Sequence, residues 1–203
     1  MSGQTPLPTE DDLKRLPLLA IVAYTVRGAM RVQPLYRLAW GITDFAKHEA
    51  AVEQAISVAV RFCLGDDVRA VVDAACNGAF SAAGAASHEA AKAAALAASR
   101  AAANAAIKSV GRLTNRAAIN ADAVCVADAQ GERGVRTDYD RLLELNLGDY
   151  PDLGDPIDPT ETGPLGALWP EGAPEWFTDP ATYKPPSEPK RADEIGLDMI
   201  DPD

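Results

Sequence analysis

Apolar residues stand on every side of the stretch Leu16-Pro17-Leu18-Leu19-Ala20-Ile21-Val22-Ala23-Tyr24-Thr25-Val26, the pattern of a central, fully buried helix. Pro17 fits its first turn, where a missing amide donor does no harm. The pattern predicts a helix that reaches Trp40 and kinks at Pro34. A second helix should start at Thr43 or Asp44, both good caps, and bury Phe45, Val52, Ile56, Ala59, Val60 and Cys63. Gly65 suits the residue after its end. A third should start at Asp66 or Asp67, carry Val68, Val71, Val72, Ala75 and Cys76, and break near Gly84–Ser87. Ser87 would cap a fourth, with Gly111 near its end. Asn115–Asp128 reads as a fifth, Gln130–Gly134 as a turn, and Tyr139, Leu142, Leu143 and Leu147 as a short final helix. No segment alternates at period two for long enough to predict a strand. The expected fold is all-α, a bundle of about five or six helices. It divides into a flexible N-terminus (1–9), a helical domain (10–147) and an extended C-terminal strap (148–203).

Composition sharpens this picture. Alanine supplies 39 of the 203 residues, and 26 of the 60 in positions 70–129. Such helices form readily, but each methyl group buries little area. What they offer is close approach. Either they pack tightly within one chain, or an Ala face pairs with another chain, as a homo-oligomer or with a different partner.

Charge and proline are both confined. Residues 1–147 carry 16 basic and 16 acidic residues, whereas residues 148–203 carry 3 and 14, so the whole net charge of −11 lies in the tail. Eleven of the 15 prolines lie from position 151 onward, where helices cannot propagate. The acidity argues against direct nucleic-acid binding and against anionic membranes. The tail is also aromatic: Leu168, Trp169, Trp176, Phe177 and Tyr183 stand in a Pro-stiffened stretch suited to docking, and they are the expected partner-binding residues. They either strap the tail onto its own helices or anchor it on a protein partner, whose surface would be basic.

Three cysteines at wide spacing (Cys63, Cys76 and Cys125) make no disulfide framework and read as small buried hydrophobes. The apolar run after Lys14-Arg15 is eleven residues long, follows Glu10, Asp11 and Asp12, and lacks a small-residue cleavage site. It is therefore neither a signal peptide nor a membrane span, and the expected location is cytoplasmic.

Catalytic signatures are missing. His48-Glu49-Ala50-Ala51 and His88-Glu89-Ala90-Ala91 each begin the HExxH zinc motif, but Val52 and Lys92 stand where the second histidine is needed. A metal-dependent enzyme that brings His48 and His88 together with nearby carboxylates is the alternative reading. No cofactor fingerprint occurs, and none is expected. Arg27 and Arg31 share a face at i, i+4; with Lys14 they form a modest basic set, read as a solvated face rather than an anion site.

The segment Gly163-Pro164-Leu165-Gly166-Ala167-Leu168-Trp169-Pro170-Glu171-Gly172-Ala173-Pro174-Glu175-Trp176-Phe177 resembles the GPLWPxGxPxW-like end of bacterial Ala-rich helical proteins of uncharacterised activity. The likeness is close only over 163–177, and it implies no activity and no functional residue. The leading expectation is a non-catalytic bacterial interaction protein: an adaptor, inhibitor or regulatory subunit, for example of a defence or conflict system. A structural oligomer formed through the Ala faces is the third reading.

Overall fold

A computed structural model of the chain describes residues 8–106, 129–145 and 147–184. The fold is all-α. Its helices are α1 (Glu10–Leu13), α2 (Leu18–Val32), α3 (Phe45–Cys63), α4 (Val72–Ala85), α5 (Glu89–Ala106), α6 (Ala129–Glu144) and α7 (Glu175–Thr178). A 3₁₀ turn, Gln33–Ala39, lies between α2 and α3, and a second, Pro180–Thr182, follows α7. Among the described residues, no helix is long and apolar enough to cross a membrane. The fifth helix expected at Asn115–Asp128, the end at Gly111, Cys125, residues 1–7 of the N-terminus and residues 185–203 of the tail lie outside the described residues.

Helix α2 is the axis of the bundle. Every residue except Met30 is buried, as its all-round apolar pattern requires. It packs against α3, α5, α6 and the first 3₁₀ turn. The chain leaves α-helical geometry after Val32, just before Pro34, and tightens to 3₁₀ instead of kinking and continuing as a helix.

The Ala-rich helices bury their methyl groups within the chain. Ala79, Ala82 and Ala83 of α4, and Ala90, Ala91, Ala94, Ala95, Ala98, Ala101 and Ala102 of α5, belong to one core. Small residues allow the close approach: a Cβ on Gly78 of α4 would stand 3.3 Å from the Ala51 Cβ of α3.

Several boundaries differ from expectation. Helix α4 begins at Val72, not at Asp66 or Asp67. Asp67 instead holds a turn, accepting from the Arg69 amide at 3.1 Å, while Val68 is buried beneath it. The cap of α5 is His88 rather than Ser87, its Nδ1 accepting from the Ala90 amide at 3.2 Å. Asp44 precedes α3 in the left-handed region, with no side-chain cap bond. The turn expected at Gln130–Gly134 is helix, the first part of α6. The buried stripe Val135, Asp138, Tyr139 and Leu142 carries α6 onto α2, and the local glycine signal yields to that packing.

The C-terminal segment, described from Leu147 to Lys184, runs along α2 from its N-terminus. Pro17 gives α2 no side-chain cap, and main-chain carbonyls of the segment do that work: Leu18 N donates to Asp152 O at 2.8 Å and Leu19 N to Leu153 O at 2.9 Å. Further on, Ile157 N donates to Cys63 O at 2.8 Å, at the end of α3.

Candidate functional site

Arg27 and Arg31 are wholly buried, which corrects the reading of a solvated face. Asp138 of α6 lies between them. Its Oδ2 accepts from Arg31 Nη2 at 2.6 Å and pairs with Arg27 Nε at 2.9 Å, off the line of a hydrogen bond. Arg27 Nη1 and Nη2 and Arg31 Nε reach the C-terminal segment, while Arg31 Nη1 is buried without a partner among the described residues. Arg27 Nη1 donates to Pro159 O and Gly166 O at 3.0 Å each, and Nη2 to Ala167 O at 2.8 Å. Arg31 Nε donates to Leu168 O at 2.9 Å, and Arg141 Nη1 bonds Leu165 O. The fork of donors on arginine suits such a cage of carbonyls, which a lysine could not fill. Gly134 matters here: a Cβ on it would lie 2.9 Å from Arg31 Nε. The clasp is thus built from α2, from α6 and from a loop that lies more than a hundred residues downstream of α2.

The expected partner-binding residues follow directly after the clasp. Leu168 is buried, and Trp169 retains only 7% of its exposure. The Trp169 ring meets Trp176 and Phe177 edge-on, with centroids 5.6 and 5.5 Å away, and Trp176 meets Tyr183 at 5.8 Å. The Arg31 guanidinium lies 5.9 Å from the Trp169 centroid. Trp176, Phe177 and Tyr183 are half-buried. These side chains form one cluster on their own chain.

Next to this cluster an open groove of about 480 Å³ lies between α2, α3 and the segment, lined by Met30, Ile56, Val60 and Leu168, with Gln33, Glu53, Ser57 and Arg61 adding polar groups. Leu168 therefore faces two ways. Its main chain is held by the clasp, and its side chain forms one wall of the groove.

Because main-chain carbonyls fasten the segment, its carboxylates stay outside. Asp149, Asp152, Asp155, Glu161, Glu171, Glu175 and Asp179 are exposed. Some have local roles: Glu161 Oε1 accepts from Leu168 N at 2.9 Å, and Glu171 pairs with Arg133 at 2.7 Å. Asp158 is half-buried, and its carboxyl is held below the ordinary value by the Thr160 side chain and amide, then by Thr162 and Arg27.

The histidines stand apart from this site. His48 is half-buried at the start of α3, and His88 is an exposed helix cap. Among the described residues no group of three or more His, Cys, Asp or Glu side chains is placed to hold a metal ion. Burial in the core pushes the Cys63 thiol far up, and Cys63 faces Leu19 O at 3.9 Å, a packing role.

Asp138 and the clasp were not singled out from the sequence. A signal was there: around Arg27 and Arg31 the same helix face carries Ala20, Ala23, Tyr24 and Leu35, so two charges stand in an apolar surround and call for a buried counter-charge. Asp138 shows the same inconsistency inside the stripe Val135–Tyr139–Leu142.

A scan against protein-family models finds no match to this chain, and searches of curated proteins and of solved structures find none.

Proposed function

We propose that this chain is a non-catalytic interaction protein that binds a protein partner through the C-terminal segment and the groove beside it, and that the partner presents a basic surface. The observation that supports this reading is the way the segment is fastened. Three arginines hold its carbonyls from within, so its acids form an outward ridge. Residues 148–184 carry eight acidic residues and one lysine, a net of −7. Such a ridge steers encounter with an oppositely charged surface. Trp176, Phe177 and Tyr183, half-buried beside it, supply aromatic contact area.

The test starts with the tagged full chain in the cells that express it, followed by identification of what co-purifies and by binding kinetics with that partner. Reversal of Asp149, Asp152, Asp155 and Glu175 to Lys should slow association about tenfold or more and flatten its salt dependence. Association that is indifferent to both salt and reversal overturns the reading.

A further inference from the structure

The groove carries the inference one step further. Its apolar wall is preformed, because Leu168 is fixed on both sides of its peptide unit: Arg31 Nε holds its carbonyl and Glu161 its amide, each at 2.9 Å. A fixed wall lowers the ordering cost of binding. The charges around it are unequal. Glu53 lines the groove, and the Glu161 carboxylate stands against the backbone of Leu168. Arg61, which also lines it, is paired with Asp66 at 2.9 Å. The groove therefore offers aliphatic side chains (Met30, Ile56, Val60 and Leu168) beside the exposed Glu53 carboxylate, with its guanidinium paired to Asp66.

We infer that this groove takes a cationic apolar anchor of the protein partner: one large aliphatic side chain against Met30, Ile56, Val60 and Leu168, flanked by a Lys or Arg that meets Glu53. This rests on the partner reading above and names the chemistry of the anchor. An anionic anchor would face Glu53 with like charge, and a purely polar one would leave the apolar wall without contacts.

The experiment uses the full chain with labelled methyl groups and three probes that stand in for the anchor. These are n-octylammonium, octanoate and octyl glucoside, each titrated below the concentration at which it self-associates. Octylammonium should shift the methyl resonances of Met30, Ile56, Val60 and Leu168, and should bind about threefold or more tightly than octanoate or octyl glucoside. Glu53→Gln should reduce that preference about two- to fivefold. Ser57→Trp, at an exposed position on the groove, should abolish the shifts while the melting curve stays unchanged. Octanoate or octyl glucoside binding as well as octylammonium overturns the inference. So do shifts that map elsewhere, or a Ser57→Trp variant that binds as the parent does. Partner association that depends on the tail acids while octylammonium ignores the groove overturns this inference alone. Octylammonium binding in the groove, with partner association indifferent to the tail acids, overturns the partner reading and leaves the groove's preference standing.

Discussion

The Asp138 carboxylate accepts from Arg31 Nη2 at 2.6 Å, and neither side chain reaches solvent. Arg27 shares the same carboxylate, so one buried acid serves two buried bases. A buried pair is costly to break, because the survivor is left charged in a medium of low polarity. The surplus positive charge is met by carbonyl dipoles of residues 159–168.

Asp138→Asn should therefore destabilise the chain by about 3–5 kcal/mol in urea unfolding. Glu171→Gln removes an ion pair whose partners are both exposed and should change stability by less than about 1 kcal/mol. Equal effects from the two would mean that the buried cluster has no special weight.

Two glycines on helices should respond with opposite signs. Gly84→Ala meets open space and should gain about 0.5–1 kcal/mol from helix propensity. Gly134→Ala gains the same propensity but places its methyl 2.9 Å from Arg31 Nε. Arg31 is pinned by Leu168 O and Asp138 and cannot yield, so a net loss of about 1–3 kcal/mol is expected. Thermal melts of the pair decide it; stabilisation by Gly134→Ala would show that Arg31 is free to move.

Tryptophan emission reports whether the C-terminal segment stays docked in solution. Trp40 is 80% exposed and Trp169 is 7% exposed. Replacing both Trp40 and the half-buried Trp176 by Phe should remove the red-shifted, readily quenched component and leave Trp169 emission that acrylamide reaches poorly. Strong quenching in that variant would mean that Trp169 is not covered. Truncation after Gly148 removes the carbonyls that face Arg27 and Arg31 and should lower the melting temperature of the remaining helices.

Acid should loosen the segment through Asp158. Its folded value lies below the unfolded value of 3.8, chiefly because of Thr160. Its contribution is thus present above 3.8 and lost as pH falls through the folded value. Urea midpoints of the parent and of Asp158→Asn should differ near pH 6 and converge as pH falls through the folded value, below 3.8. A gap that widens as pH falls would contradict the assignment.

How much of this was legible differs by kind of feature. Helix α2 follows from an unbroken apolar run, α3 from helical spacing and α5 from a capping position followed by a run of alanines, because those signals are local. Local signals failed where a distant partner intervened. The Gln130–Gly134 stretch carries two glycines in five residues, yet it is helix, since the buried stripe that follows it packs on α2. The late start of α4 goes with the Asp67 turn, which accepts from the Arg69 amide, and Pro156 of the distant segment packs just before it, its Cγ 3.2 Å from where a Cβ on Gly65 would stand.

The sequence by itself determined the helical class, the Ala-rich make-up of the middle helices and the separation of a neutral body from an acidic, Pro-rich tail. These properties depend on side-chain period, propensity and composition, which a chain carries in any conformation. Only the tertiary structure decided the fate of Arg27 and Arg31. Spacing places both on one face of a helix, but whether that face meets water, an anion or a protein carbonyl depends on Asp138 and on the main chain of residues 159–168. Main-chain carbonyls are the same at every residue, so no side-chain pattern announces which of them a buried arginine will meet.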